Sequence, residues 1–144
     1  MSLFVVECRT ELPPDEAWRR LTTWERHSGS VPLTRVTATT RSPSGVGTVV
    51  VARTGVGPVG FTDPMRVTVW EPPVGGGGGR CRLEKAGRVV LGWAEIEVRP
   101  DGAGAYVRWR EDVAVRGLPR VFDGLTRTAS RRIFSRAVTV LLAE

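Results

Sequence analysis

Glu111 is the residue of this 144-residue sequence whose setting most invites chemistry. It lies in a stretch, 105–116, that alternates with period two, so it shares a face with Val107, Trp109, Val113 and Val115. A carboxyl group held among apolar side chains resists ionisation, whereas a nearby arginine such as Arg66 favours it. The first setting suits a general acid or base acting on a carbonyl or hydroxyl; the second suits an orienting or structural carboxylate. Both roles are open to Glu111. Arg66 and Arg53 lie on strands beside the glycine-rich connection and could point to either side, the plainer reading being a solvated sheet face, and Asp63, before Pro64, reads as a turn residue.

Other chemistries find few residues to work with. His27 is the only histidine, and neither GxSxG nor HExxH accompanies it, so a Ser-His-Asp triad or a His-rich zinc site is not expected. Cys8 and Cys81 are far apart, without CxxC, at apolar positions of strands where a thiol acts as a small hydrophobe. There is no DxDxD cluster for a hard cation, and the glycines at 55, 57 and 60 lack the GxGxxG order of a phosphate loop. No metal and no cofactor are expected.

Hydrophobic residues make up 41% of the chain and charged ones 25%, as in an ordinary soluble domain, and the length suits one domain over 1–144. The formal charge of +6 raises the question of a polyanionic partner. Of 21 basic residues only Lys85 is lysine, and the arginines are scattered from Arg9 to Arg136. That dispersion reads as a solvated surface in an Arg-biased composition, and nucleic acid is not expected as a partner. Met1-Ser2-Leu3-Phe4 opens in strand pattern without the regions of a signal peptide, and no apolar run reaches membrane length. A cytoplasmic protein without an integral membrane segment, monomeric or homodimeric, is the expectation.

The elements that must position Glu111 follow from periodicity. A strand is expected over 3–10, with Phe4, Val6 and Cys8 on one face. Pro13, Pro14, Asp15 and Glu16 open a helix with Ala17, Trp18 and Leu21 on its apolar side. A second short helix over 22–28 carries Trp24 and His27, and Gly29-Ser30 and Pro32 end it. Six strands follow. The first carries Val36, Ala38 and Thr40, turns at Pro43-Ser44-Gly45, and leads to a strand over 46–53. A glycine-rich connection spans 55–60. The next strand, 61–71, has Met65, Val67 and Val69 on one side. A loop of five glycines at 75–79 leads to strands over 80–86, 89–99 and 105–116. In 89–99, Ala94, Ile96 and Val98 oppose Trp93, so the direction of Trp93 depends on parity. Short connections make the sheet antiparallel. From Gly117 to the end, Leu118, Phe122, Leu125, Ala129, Ile133, Ala137 and Val140 recur in steps of three and four, widened by Val121, Phe134, Val138 and Leu141. They predict one long helix with Pro119 in its first turn, its apolar stripe on the sheet and Arg120, Arg127, Arg131, Arg132 and Arg136 facing away.

This order, and several segments, resemble a known superfamily. WRRLTTWERH at 18–27, VPLTRV at 31–36, Gly47-Thr48, Gly57-Pro58, DPMRVTVWEPP at 63–73 and Trp109-Arg110-Glu111 are similar to the START/Bet v 1-like (SRPBCC) proteins, in particular their polyketide cyclase/dehydrase-like branch. The resemblance spans essentially the whole chain and consists of packing and turn residues. It implies an α+β helix-grip fold: a seven-stranded antiparallel sheet wrapped around a long C-terminal helix, with two short helices after the first strand. It also implies a mostly apolar cavity between sheet and helix that takes a hydrophobic small molecule such as a lipid or polyketide. The candidate ligand-binding residues are then Trp109, Glu111, Trp24, His27, Arg66, Ala94, Ile96, Phe122 and Leu125. His27 is either a structural side chain bonded to a carbonyl or a residue of the cavity mouth. Trp18 and Trp70 are assigned to packing. The alternative to a carrier is an enzyme of the cyclase type, with Glu111 as its acid or base. A third possibility is an interaction module using the arginine face of the last helix.

Overall fold

The computed structural model describes residues 2–29, 33–38, 44–117 and 119–143. Strand β1, Ser2–Thr10, is followed by helix α1, Pro14–Thr22, and a 3-10 segment, Trp24–Gly29. Six strands come next: β2 Thr34–Ala38, β3 Val49–Val56, β4 Val59–Glu71, β5 Gly79–Lys85, β6 Val90–Asp101 and β7 Gly104–Val115. A 3-10 turn, Arg120–Phe122, leads into helix α2, Asp123–Ala143. All seven strands form one antiparallel sheet in the order β1-β7-β6-β5-β4-β3-β2. The expected helix-grip arrangement is therefore present, with the second short helix in 3-10 form. Ser30 and Pro32, Thr40, the turn residue Pro43, and Leu118 lie outside the described residues.

Alternation decides which face each strand buries. In β7, Val107, Trp109, Glu111 and Val113 are buried on one face, and β6 presents Ala94, Ile96 and Val98 beside them. Period-two burial of this kind fixes register, because a slip of one residue would send the whole set to solvent. In β4 the register shifts between Val67 and Val69. Met65 and Val67 face the core as expected, but Val69 does not continue their side. It pairs with Arg82, and Trp70 pairs with buried Cys81 and packs on Trp18 at 5.2 Å between ring centroids. A bulge changes parity, and nothing in the alternation announces one.

The glycine-rich connection is also shorter than its composition suggests. Gly55 pairs with Gly60 and Val56 with Val59, leaving only Gly57 and Pro58 as the turn. A Cβ on Gly55 would meet the Val59 carbonyl oxygen at 2.2 Å, so these glycines permit close pairing of two strands.

Helix α2 departs from the expected stripe. Its second half is buried through Ala137, Val138, Leu141 and Leu142, and Phe134 stacks on Phe4 at 5.5 Å. Arg20 of α1 donates a hydrogen bond to the Leu142 carbonyl at 3.1 Å. Its first half turns Thr126 and Ser130 inward, whereas Val121 and Leu125 are exposed and Phe122 is 43% exposed. With about 100° between residues, Thr126, Ser130 and Phe134 form one row at i, i+4 and i+8, and Leu125 lies well away from it. The second half anchors the helix and so sets the rotation of the first.

Gly92 gives a test of this packing. Its φ is +126°, and a Cβ there would lie 1.8 Å from the Asp112 carbonyl oxygen of β7. Gly92→Ala should lower stability by more than about 1–3 kcal/mol, the usual cost of backbone strain alone, because the clash adds to it. Gly102→Ala, at a turn with open space around it, should cost less. Denaturant melts that ranked the two the other way would contradict the β6–β7 register.

Candidate functional site

Between the concave face of the sheet and the first half of α2 lies a cavity of about 320 Å³. Its walls are mostly apolar: Val36, Val50, Leu83, Val90, Ala94, Ile96 and Val113 from the sheet, with Ile133 and Phe134 from the helix. One side is aromatic. His27 packs between Trp24 and Trp109, with centroids at 5.9 and 5.7 Å, and Trp109 packs on Phe134 at 5.3 Å. His27 Nε2 lies 2.8 Å from the Leu21 carbonyl, and burial pushes its pKa down in spite of that contact. His27 is thus bonded to a carbonyl and is also part of the cavity wall.

Three ionisable side chains meet in this apolar setting. The Lys85 ammonium donates to Asp63 Oδ2 at 2.7 Å and lies 3.4 Å from Glu111 Oε2 and 3.7 Å from Met65 Sδ. Glu111 Oε1 accepts from Trp109 Nε1 at 3.2 Å. The side chains of Lys85 and Glu111 are 3% and 5% exposed, so solvent screens them little. They come from three strands: Asp63 from β4, Lys85 from β5 and Glu111 from β7. Between β5 and β7 runs β6, whose Gly92 and Ala94 bring little bulk to the gap. Burial works to lower the pKa of Lys85, but Glu111 and Asp63 outweigh it and hold it raised. Burial also raises the carboxyl of Glu111, against the opposing pull of Lys85 and Trp109. The group is therefore a firm Asp63–Lys85 ion pair beside a carboxyl that holds its proton more tightly than usual.

Of the residues singled out in the sequence, Trp24, His27, Ala94, Ile96, Trp109 and Glu111 line the cavity together. Arg66 does not. Because Met65 and Val67 face inward, Arg66 between them is exposed on the outer face opposite Glu84. Phe122 and Leu125 do not line the cavity either, for the rotation of α2 already described. Trp93 faces outward under Arg82 and Arg110, whose guanidinium carbons lie 4.3 and 5.8 Å from its ring centroid. Arg53 is exposed and bonds the Gly57 carbonyl at 2.9 Å. Asp63 is a strand residue paired with Ala52, not a turn residue.

Lys85 was not among the expected site residues, although two signals pointed to it. It continues the inward series Cys81, Leu83, and it is the single lysine of an arginine-rich chain.

Comparison with known proteins bears on the fold. No family model matches the sequence, and no curated protein matches it. Solved structures do. A STAR-related lipid transfer protein fragment from Xanthomonas axonopodis superposes with a TM-score of 0.72 at 15% identity, covering 98% of this chain and 84% of that one. The KanY protein gives a TM-score of 0.70 at 15% identity over 99% and 97% of the two chains. Ara h 8.0201 gives 0.63 at 12% identity over 99% and 98%. The chain has the START/Bet v 1-like (SRPBCC) fold. Among the described residues no helix is long and apolar enough to cross a membrane.

The raised pKa of Glu111 has a signature in stability. The fold binds the Glu111 proton more tightly than the unfolded chain, whose carboxyl titrates near the ordinary 4.5. The stabilisation is therefore complete below that value and is lost as pH rises through the folded pKa. Glu111→Gln carries no such proton, so it should gain stability relative to the parent as pH is raised from about 4 to about 8. Melts of the two proteins across that range test this; a constant difference would show that Glu111 is not perturbed.

Proposed function

We propose that this protein binds a hydrophobic small molecule in the cavity between its sheet and α2. The observation that carries the reading is a cavity of about 320 Å³ walled mostly by apolar and aromatic side chains, with one ionisable cluster and a few hydroxyls, among them Thr126 and Ser130. That volume, wall and polar content are the usual form of a small-molecule site. The likeness to a STAR-related lipid transfer protein agrees with it, as a likeness of fold. Trp109, Trp24, His27, Ala94 and Ile96 would contact the ligand, and Glu111 would orient it.

A cyclase- or dehydrase-type enzyme acting on a poly-β-keto substrate is the second reading. It is favoured by the contact of Glu111, with its raised pKa, with the Lys85 ammonium inside the cavity. A carboxyl poised in this way can exchange a proton with a bound carbonyl compound. On this reading Glu111→Gln abolishes conversion of such a substrate and leaves binding of a neutral probe in place.

Binding itself is tested with N-phenyl-1-naphthylamine, a neutral probe that brightens on leaving water. It should saturate one site and quench tryptophan emission. Ala94 is 2% exposed and lines the cavity, so Ala94→Phe should weaken the probe at least about tenfold, or about 1.4 kcal/mol. Circular dichroism would confirm that the variant is folded. No probe uptake by the parent protein, or unchanged affinity in a folded Ala94→Phe variant, would remove the proposal.

A further inference from the structure

We infer that the cavity selects apolar molecules carrying a hydroxyl or an ammonium group and rejects those ending in a carboxylate, through the Asp63–Lys85–Glu111 cluster; this rests on the binding function proposed above.

The charge balance argues against anions. Among the described residues Lys85 is the only lysine or arginine lining the cavity, and its ammonium already faces both carboxylates. Its remaining contact is the Met65 thioether at 3.7 Å, a weak acceptor. His27, the other nitrogen base in the wall, is kept neutral by burial. An incoming carboxylate would thus meet two acidic residues and no unengaged cation among the described residues. With Asp63 and Glu111 both ionised, the cluster carries a formal charge of −1, opposite in sign to the +6 of the whole chain. If Glu111 keeps its proton the cluster is neutral, and an anionic ligand still has no counterion of its own. Bringing an uncompensated charge into such a site is costly, because little solvent remains to screen it.

Hydrogen-bond balance supplies the positive half of the argument. Asp63 Oδ2 accepts from Lys85, but Oδ1 is buried and accepts no hydrogen bond. A buried carboxylate oxygen without a donor is uncommon, and Asp63 lines the cavity. The group that satisfies it must donate: a hydroxyl, an amine or an ammonium. A ketone, ether or carboxylate only accepts.

The test uses eight-carbon ligands displacing N-phenyl-1-naphthylamine from the wild-type protein near neutral pH. 1-Octanol should displace the probe at least about tenfold more strongly than its isomer heptyl methyl ether, which is more apolar but has no donor. Octylamine, as its ammonium, should exceed octanoate by about tenfold or more, although both are charged and both lose hydration on entry. Asp63→Asn should bring the last two toward parity. Equal displacement by alcohol and ether, or octanoate matching octylamine, would overturn the inference while leaving a generic apolar site intact. If the probe itself fails to bind, the cavity reading falls and this inference falls with it. The wild-type comparisons decide the matter even where Asp63→Asn does not fold.

Discussion

Moving an ammonium group out of water costs several kcal/mol even after relaxation, and the site is organised around the partners that offset this cost for Lys85. Asp63 at 2.7 Å and Glu111 at 3.4 Å stand on either side of it. They come from β4 and β7, strands separated in the sheet by β5 and β6. The partners meet only because the register aligns them and the sheet curls. Gly92 and Ala94 supply the space on β6, and the close approach of Gly92 to the Asp112 carbonyl holds β6 tightly to β7. The local conformation of one glycine, the pairing of four strands and the charge state of the cavity floor are thus parts of one arrangement. Removing Lys85 alone would leave two carboxylates facing each other without a cation, a more serious fault than losing the whole cluster.

The cavity exists because α2 is divided in its task. Ala137, Val138, Leu141 and Leu142 bury the second half of the helix, and Phe134 reaches Phe4 and Trp109. The first half offers the sheet Thr126 and Ser130, side chains too small to fill the space beneath them. Had the rotation brought Leu125 and Phe122 inward, their volume would have occupied what is now open. The exposure of these apolar residues and the presence of a cavity are consequences of the same helix phase.

Strand alternation made much of this legible. It placed Trp109, Glu111, Ala94 and Ile96 on the inner face, because in a regular strand parity leaves no freedom. Three features escaped it for physical reasons. The bulge in β4 moved Trp70 inward at a point with no Gly or Pro to mark it. The last helix has apolar residues on more than one side, so the sequence could not say which side the sheet would take. The cluster itself joins residues 63, 85 and 111, and contacts between distant strands have no local pattern. Asp63 before Pro64 resembled a turn because that dipeptide so often is one. Lys85 lay in a clean alternation, and what obscured it was only the habit of reading a basic residue as solvated surface.

The contrast between Glu111 and Glu95 shows why the inner cluster differs from the charges elsewhere. The pairs Ala94–Glu111 and Glu95–Arg110 are neighbours along β6 and β7 and project to opposite faces. Burial pushes the Glu95 carboxyl up, but Arg110, Arg80 and Arg82 outweigh it and lower it. That outer network gathers three long guanidinium side chains around one carboxylate and stacks Arg82 on Trp93. The inner face has the opposite excess, two acidic side chains to one cation. It also uses an ammonium, a compact point charge whose three donors can be directed separately, where a guanidinium would bring a broad planar fork with five. In a chain that uses arginine at every other basic position, lysine at 85 fits a small space between two carboxylates. Lys85 reaches Asp63 through Oδ2, and Oδ1 is left buried without a donor.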